Sequence, residues 1–374
     1  PGGDAQHPVE VERPGVIPGW KIRRELGRLR QQLRAIPEAI WDPIARARHD
    51  RLVRAGLPHM DGKQALGPKV AIVLLFQPRG LADSLFLMCR HLAANGYAVL
   101  AVSNAPLSGA DKARLADHVW RVLERPNFGY DFGGYRDAIW SLRAWGVRPE
   151  RLVILNDSIW FPLRDDDPLA RMEASPFDVA GTILRERGDA RFLESYFFSV
   201  RGAVLDQPVF RSFWDDLRLT SNKYKVIRRG ERGFGAVLRA GGIDFGAMFP
   251  TADFDAAIAA ADESTLRQTL RYMAAVDPQV QAKGAALAAA AGDPAWLSNA
   301  RAFIRQVLEK AQFYSSFPVA AVTLLGYPVM KKSREPVSAK WRSAWLRAVD
   351  DKVLAAPPGP ILAEARGLTD EAMK

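Results

Sequence analysis

A glycine-rich stretch followed by a short apolar run constrains the fold more than any other part of this sequence. Residues 127–137 carry three glycines and two aspartates in close succession, and a helical pattern over residues 135–145 then ends at Gly146. The apolar run over residues 151–155 is typical of a strand buried on both faces. Ligands bind at the carboxyl ends of strands in open α/β sheets. The three residues that follow this strand are therefore predicted to line a binding site: Asn156, Asp157 and Ser158.

Strand and helix patterns alternate through the first two thirds of the chain. Strands are predicted over residues 70–76, 97–102, 118–123 and 151–155, with helices over 81–95, 111–116 and 135–145 between them. This alternation predicts an α/β sheet with mainly parallel strands. Further strands are predicted over residues 177–184 and 193–200.

The remainder of the chain divides by composition. From about residue 253 the sequence is mostly helical and rich in alanine, and the segment after residue 355 contains prolines and predicts a peripheral tail. We predict a basic helical extension over residues 1–66, a catalytic domain over 67–252 and a helical region over 253–374.

The chain of 374 residues has a net charge of +10, which favours anionic partners. No recognisable nucleic-acid reading motif accompanies this charge, so we expect no nucleic-acid partner. The five histidines are scattered, and the single cysteine, Cys89, lies in an apolar helical pattern. No apolar run reaches the roughly 18 residues that span a bilayer. These features fit a cytoplasmic bacterial protein.

A basic amphipathic helix is predicted between Trp20 and Ile36. Apolar residues recur there at spacings of three and four, and the opposite face carries six Lys or Arg residues against one Glu. Such a helix can lie on an anionic membrane surface, at the inner face of the cytoplasmic membrane. The alternative is a surface helix that packs on its own domain.

Several familiar sites are excluded by spacing. The glycines of residues 129–134 lack the G-x-G-x-x-G spacing of a dinucleotide site and do not follow the first strand. No Walker A motif and no G-x-S-x-G elbow is present. The acidic run at residues 165–167 stands before Pro168 and predicts a helix start better than a metal site.

The acidic turn at the strand end instead suits transfer of a sugar from a nucleotide. Asp157 there can hold a divalent metal, Mg²⁺ or Mn²⁺, that neutralises a leaving nucleoside diphosphate. An inverting transfer also needs a carboxylate base near the acceptor hydroxyl. Glu231, flanked by basic residues, is the first candidate for this base, and Glu194 is the second.

Ordered motifs along residues 70–335 resemble the rhamnan synthesis protein F family. The first is Asn127-x-Gly129-x-Asp131 with Tyr135, and the second is Leu155-Asn156-Asp157-Ser158-Ile159-Trp160-x-Pro162. An aromatic segment follows at Glu194-Ser195-Tyr196-Phe197 with Phe210-x-x-Phe213-Trp214. The basic segment Val226-Ile227-x-x-x-Glu231 and the C-terminal signature Gly326-Tyr327-Pro328-x-x-Lys331-Lys332 complete the resemblance.

The resemblance implies a glycosyltransferase of bacterial polysaccharide assembly. It implies a GT-A-like, Rossmann-type nucleotide-sugar-binding domain with added N-terminal and C-terminal helices. The implied donor is an activated rhamnose, usually dTDP-L-rhamnose, and the acceptor is a lipid-linked or growing glycan of an O-antigen, capsule or rhamnan. The nucleotide pocket would be lined by Asn127, Gly129, Asp131 and Tyr135 together with the Asn156–Ser158 turn.

The sequence departs from the family pattern at two places. The acidic turn is not a full Asp-x-Asp, and the end of the first strand reads Leu75-Phe76-Gln77 where the family often has a His. These departures keep a second reading open, in which the chain is a non-catalytic glycan-binding or scaffold module of a polysaccharide-assembly complex.

Overall fold

The computed structural model describes residues 41–164, 168–290 and 294–373. The basic helix predicted between Trp20 and Ile36 lies outside these residues, and so does the acidic run at 165–167. Among the described residues, no helix combines the length and the apolar character needed to cross a membrane.

The strands are short, and most of the eight that form the main sheet are buried. In chain order they are β1 (His59–Asp61), β2 (Lys69–Leu75), β3 (Tyr97–Ser103), β4 (Arg121–Glu124), β5 (Arg151–Asn156), β6 (Ile159–Trp160), β7 (Val179–Gly181), β8 (Leu184–Arg187), β9 (Ala190–Leu193), β10 (Phe197–Arg201), β11 (Phe245–Ala247) and β12 (Met330–Lys331).

Helices separate the strands and fill the C-terminal third. They are α1 (41–55), α2 (Asp83–Ala94), α3 (Gly109–Ala116), α4 (Tyr130–Ala144), α5 (Pro168–Glu173), α6 (Gly202–Leu205), α7 (Pro208–Asp216), α8 (Lys223–Ile227), α9 (Gly233–Ala240), α10 (Thr251–Ala260), α11 (Glu263–Arg271), α12 (Pro278–Ala289), α13 (Trp296–Leu308), α14 (Phe313–Ser316), α15 (Pro318–Leu325), α16 (Pro336–Asp350) and α17 (Gly359–Met373). A π-helical turn, Arg228–Arg232, joins α8 to α9.

The main sheet has the strand order β1-β4-β3-β2-β5-β10-β7-β11. Strands β4, β3, β2 and β5 are parallel, whereas β10 runs antiparallel between β5 and β7. The chain winds outward from β2 through β3 to β4 and then returns to place β5 on the other side of β2. This reversal creates a switch point between β2 and β5, where α/β sheets open a crevice for ligands. The α/β sheet predicted from the alternating pattern is confirmed, and so is the Rossmann-like fold that the family resemblance implies.

Alternate side chains of the central strands enter two separate cores. Val70, Ile72 and Leu74 of β2 face α4, α7 and α9, whereas Ala71, Val73 and Leu75 face α2 and the C-terminal helices. Because both faces are covered, every residue of β2 after Lys69 is buried. This explains the unbroken apolar run that the sequence shows there.

The helix after the glycine-rich stretch begins earlier than the sequence pattern indicates. The pattern predicts a start at Tyr135, but α4 begins at Tyr130 and includes Gly133 and Gly134. A Cβ atom on Gly134 would lie 2.3 Å from Leu74 Cδ1, and one on Gly133 would lie 2.1 Å from the carbonyl oxygen of Phe128. Both glycines therefore serve close packing of α4 against its surroundings, rather than approach to a ligand.

The C-terminal region is mostly helical, as predicted, but its end is not peripheral. Ile361 and Ala365 of α17 are fully buried, and α17 packs on α2 and α16. Strand β12 pairs with β6, which ties this region to the turn after β5. The domain boundaries at residues 66 and 252 stay predictions, since the C-terminal helices share one apolar core with a face of the sheet.

Candidate functional site

Asp157 lies at the switch point between β2 and β5. Its backbone N–H donates to the carbonyl oxygen of Leu74 at 2.9 Å, which continues the β2–β5 pairing beyond the last strand residue. Its carboxylate oxygen Oδ2 accepts the backbone N–H of Phe76 at 2.9 Å and the side chain of Gln77 at 3.0 Å. The ends of both strands thus fix this carboxylate at the mouth of the crevice. Gln77 stands at the strand end where the sequence departs from the family pattern.

Asn156 joins the turn after β5 to helix α4. Its Nδ2 donates to Asp131 Oδ2 at 3.2 Å and to the Tyr135 hydroxyl oxygen at 3.1 Å. Its Oδ1 accepts from the backbone N–H and the hydroxyl of Ser158. The Tyr135 hydroxyl in turn donates to the carbonyl oxygen of Ser195 at 2.9 Å. The structure therefore brings together the side chains of both predicted motifs, through one buried asparagine.

The entry to helix α4 has an unusual backbone. Gly129 at the N-cap position has a φ of 81°, and Tyr130 has a φ of 50°, so two consecutive residues adopt the left-handed conformation. A Cβ on Gly129 would also lie 2.8 Å from Leu219 Cδ2. Non-glycine residues in this conformation are strained and concentrate at functional sites. Asn127 is exposed on the segment that leads into this turn.

Glu231 lies on the π-helical turn, which packs on α4. Its Oε1 accepts the Ser195 hydroxyl at 2.7 Å and the Ser195 backbone N–H at 3.4 Å. A Cβ on Gly230 would lie 2.3 Å from Cδ2 of Phe132, so this glycine allows the turn to pack directly on α4. Single π-helical turns inside helices are frequent at functional sites. Close packing of this turn delivers Glu231 to the site.

Three carboxyl groups, those of Asp131, Asp157 and Glu231, share the crevice. Burial, followed by the negative charge of Asp157, raises the pKa of Asp131 to about 6, and Glu231 adds to this effect. Asp131 as a whole residue is exposed, so solvent screens part of this effect. Burial also raises the pKa of Asp157, against the hydrogen bonds from Phe76 and Gln77.

The pKa of Glu231 is raised as well. Burial raises its pKa, the hydrogen bond from Ser195 opposes the rise, and the negative charge of Glu194 adds to it. The crevice thus holds more negative charge than its surroundings compensate. A cation or a proton is expected to bind there.

Glu194 lies in a buried ion cluster beside the crevice. Its carboxylate accepts from Arg185 Nε at 2.6 Å, from Lys331 Nζ at 3.0 Å and from the Tyr314 hydroxyl at 2.9 Å. Burial alone would raise the pKa of Glu194, but the charges of Lys331 and Arg185 hold it below its ordinary value. A carboxylate so fully occupied is a poor proton acceptor. The geometry therefore favours Glu231 over Glu194 as the predicted base.

A basic pocket of about 690 Å³ opens on the other side of Asp157. Arg79, Lys332 and Arg334 line it, together with Phe76, whose side chain is 51% exposed. Burial lowers the pKa of Lys332, while the charges of Glu364 and Asp157 oppose this. The sequence pattern places Lys332 only in a C-terminal motif and does not predict Arg79 or Arg334 as site residues. Their proximity to Asp157 depends on β12 and on the turn after β2, which no local pattern joins.

Two other residues of the glycine-rich stretch have a structural role that the sequence did not show. Asp137 is fully buried and accepts from His49 Nε2 and Arg125 Nε, each at 2.7 Å. Arg136 donates to the second oxygen of Asp137 at 3.1 Å and to Asp50 at 2.6 Å. This network ties α1 and the end of β4 to α4. The scattered histidines had indicated no such pair.

The described residues contain no group of three or more His, Cys, Asp or Glu side chains arranged to bind a metal ion. A protein that holds Mg²⁺ together with a substrate diphosphate needs only one or two carboxylates, because the phosphates supply further ligands. Asp157, with Asp131 near it, fits a site of this kind. The metal stays a prediction.

Two comparisons with known proteins bear on this site. Residues 99–276 match the model of the family described as rhamnan synthesis protein F, which supports the family predicted from the motifs. A segment of 215 residues is 35% identical to the uncharacterized protein y4gN of Sinorhizobium fredii and covers 56% of each chain. The chain thus spans about half the length of that relative. The description of this family names rhamnan synthesis.

Proposed function

We propose that the chain is an inverting rhamnosyltransferase, on the premise that residues 99–276 match the model of the rhamnan synthesis protein F family. It would transfer L-rhamnose from dTDP-L-rhamnose to a lipid-linked or growing glycan, within a GT-A-like nucleotide-sugar-binding domain. The observation that carries the proposal is the position of Asp157, between a basic pocket on one side and two further carboxyl groups on the other.

The basic pocket suits the nucleoside diphosphate of the donor. Arg79, Lys332 and Arg334 supply positive charge for the phosphates, and Arg in particular can bind a phosphate through two donors. Phe76 offers an exposed aromatic face on which a nucleobase can stack, an interaction worth roughly 1–3 kcal/mol. The pocket volume of about 690 Å³ lies in the range of sites that bind small cofactors.

A divalent cation fits beside Asp157. When bound, Mg²⁺ or Mn²⁺ would neutralise the charge of the diphosphate as it leaves. Asp157 would hold such an ion, with Asp131 near enough to contribute. The same ion would relieve the repulsion that raises the pKa of Asp131.

Glu231 is the proposed base on the acceptor side. The acceptor hydroxyl oxygen attacks the anomeric carbon of rhamnose, the bond from that carbon to the diphosphate oxygen breaks, and Glu231 takes the hydroxyl proton. The products are dTDP and the elongated glycan. The raised pKa of Glu231 suits this role, since a base works best when its pKa lies close to the working pH. The hydrogen bond from Ser195 holds the carboxylate in place.

Membrane attachment is part of the proposal only through the segment between Trp20 and Ile36. Its basic amphipathic pattern would hold the enzyme at the inner face of the cytoplasmic membrane, close to lipid-linked acceptors. Sedimentation with anionic and neutral vesicles tests this directly, because binding to the anionic vesicles alone is expected.

Ligand-induced thermal stabilisation tests the donor site. A ligand present at a hundred times its dissociation constant stabilises a fold by about 2.7 kcal/mol. We expect dTDP to raise the melting temperature more than UDP or GDP, and Mg²⁺ or Mn²⁺ to increase the effect. Asp157→Ala should abolish this stabilisation, whereas Asp215→Ala, at an exposed ion pair with Arg143, should keep it. If no nucleotide stabilises the protein, the glycan-binding or scaffold function replaces this proposal.

A rhamnose-transfer assay tests the base. Glu231→Gln keeps the size of the side chain and should retain dTDP binding, while the turnover number falls by at least about a hundredfold. Glu194→Gln is the matched comparison, and we expect it to affect stability more than the pH dependence of turnover. Full turnover in Glu231→Gln would remove this residue from the mechanism.

A further inference from the structure

A second groove, of about 700 Å³, lies between the C-terminal helices and the Glu194 ion cluster. Its walls are α12, α13 and the start of α16, and its inner end is formed by Arg185 and Lys331. Lys283 and Lys310 line the outer part and are exposed.

The inner end of the groove adjoins the proposed base. Lys331 donates to Glu194, and the hydroxyl of the next residue, Ser195, donates to Glu231 at 2.7 Å. A molecule that fills the groove and reaches Lys331 would therefore place its end close to Glu231. The basic pocket with Asp157 shares none of the residues that line this groove. The two cavities thus provide separate places for two substrates.

The charge of the groove indicates what kind of molecule it takes. Four cationic side chains line it against two acids, Asp277 and Glu335. Asp277 is occupied as the N-cap of α12, where it accepts the backbone N–H of Gln279 at 2.8 Å. Arg185 and Lys331 keep about a third of their side-chain surface exposed, 36% and 32%, although both pair with Glu194. They remain able to contact an anion.

We infer that this groove is the acceptor site and that it takes a glycan acceptor carrying a phosphate or diphosphate. The role of the bound molecule as an acceptor rests on the proposed transferase function. The presence of an anion site rests only on the residues that line the groove. Phosphate oxygens would contact the lysines and Arg185, which are the usual side-chain partners of this group. The phosphate can belong to a lipid carrier or to the glycan itself.

Binding of two soluble probes, pyrophosphate and geranyl diphosphate, tests the inference by titration calorimetry. The full chain is first saturated with dTDP so that the pocket beside Asp157 is filled. The double variant Lys283→Glu/Lys310→Glu should bind both probes at least tenfold more weakly than the unmodified protein. The control Lys63→Glu/Lys340→Glu changes the net charge equally at exposed lysines outside the groove, and should change the dissociation constants less than twofold.

The two probes also separate the sources of phosphate. Tighter binding of geranyl diphosphate than of pyrophosphate supports a lipid-linked acceptor, and equal binding supports a phosphate on the glycan. Equal probe binding by the groove variant and the control would overturn the inference. Failure of the proposed function looks different: dTDP would not bind, while the probes would still lose affinity in the groove variant.

Discussion

Burial, reinforced by repulsion among carboxyl groups, shifts the protonation of the site at the scale of single residues. The pKa of Asp131 is about 6, above its ordinary value of 3.8, so the native state holds a proton that the unfolded state releases. Stability therefore falls as pH rises from about 4 to about 6 and stays lower above that window. Apo protein at neutral pH pays this cost, and a bound cation would remove it.

Removing the charge of Asp131 should stabilise the ligand-free protein only above this window. We expect Asp131→Asn to add about 1 kcal/mol to the free energy of unfolding at pH 7.5, a value reduced for screening because the residue is exposed. At pH 4 the gain should vanish, because the aspartate is then already protonated. The new amide can still accept from Asn156.

Urea unfolding at the two pH values measures this difference, with Asp215→Asn at the exposed Arg143 pair as the control. The control should show no gain at pH 7.5. An equal effect of Asp131→Asn at both pH values would contradict a raised pKa of Asp131. The same variant should also weaken any stabilisation by Mg²⁺.

Individual residues were predictable where the rule was local. Asn156 ends a buried strand and Asp157 follows it, and the carboxyl-end rule places both at the crevice. Glu194 was harder, because its partner Lys331 is 137 positions away and fixes its protonation state only through tertiary packing. The same limit hid the partnership of His49 with Asp137, which spans 88 positions.

At the scale of elements, glycines set the positions of the site residues. Gly129 combines a left-handed backbone with contact to Leu219, so Gly129→Ala should suffer both backbone strain and a steric clash. Gly146 has a similar φ of 72° but open space around its Cβ position, so Gly146→Ala suffers the strain alone. The left-handed conformation costs a non-glycine residue about 1–2 kcal/mol.

Chemical unfolding of the two variants separates these effects. We expect Gly146→Ala to lose about 1 kcal/mol and Gly129→Ala to lose at least about 1 kcal/mol more, in line with overpacking. Gly129→Ala should also weaken dTDP binding, because α4 carries Asp131 and Tyr135. Equal losses would show that Leu219 moves aside without cost.

The π-helical turn offers a second matched pair. In Gly230→Ala the new methyl group would meet the ring of Phe132, whereas a Cβ on Gly233 has no neighbour closer than 3.8 Å. Overpacking costs about 1–3 kcal/mol, and it should displace Glu231 from Ser195. We expect transfer activity to fall far more in Gly230→Ala than in Gly233→Ala. Activity kept by Gly230→Ala would argue against Glu231 as the base.

The start of α4 shows why element boundaries were only partly predictable. Glycine is a poor helix former, costing about 1 kcal/mol relative to alanine, so the pattern indicated a loop through Gly134. Packing of Gly134 on Leu74 outweighs this cost, but Leu74 belongs to a strand 60 positions earlier. The strands were predicted more closely, because an apolar run bounded by turn residues is itself a local signal.

At the scale of the whole molecule, the C-terminal helix completes the donor pocket. Glu364 of α17 accepts the Ser84 backbone N–H at 2.9 Å, the Ser84 hydroxyl at 2.6 Å and Trp160 Nε1 at 2.8 Å. It also lies 3.5 Å from Lys332 Nζ. Prolines before this helix had indicated a peripheral tail, since its burial depends on α2, nearly 280 positions earlier. The pocket is therefore a joint product of the first and last parts of the described chain.

This arrangement predicts that a change in the last helix weakens donor binding. Glu364→Ala leaves the donors of Ser84 and Trp160 without their acceptor, which should lower the free energy of unfolding by about 1–3 kcal/mol. It also releases Lys332, so the dissociation constant for dTDP should rise several-fold. Asp370→Ala removes the same charge from an exposed position of the same helix, and its effect should stay within about 0.5 kcal/mol. Unchanged dTDP binding in Glu364→Ala, with stability lost, would assign α17 to folding alone and leave the pocket to the residues after β2.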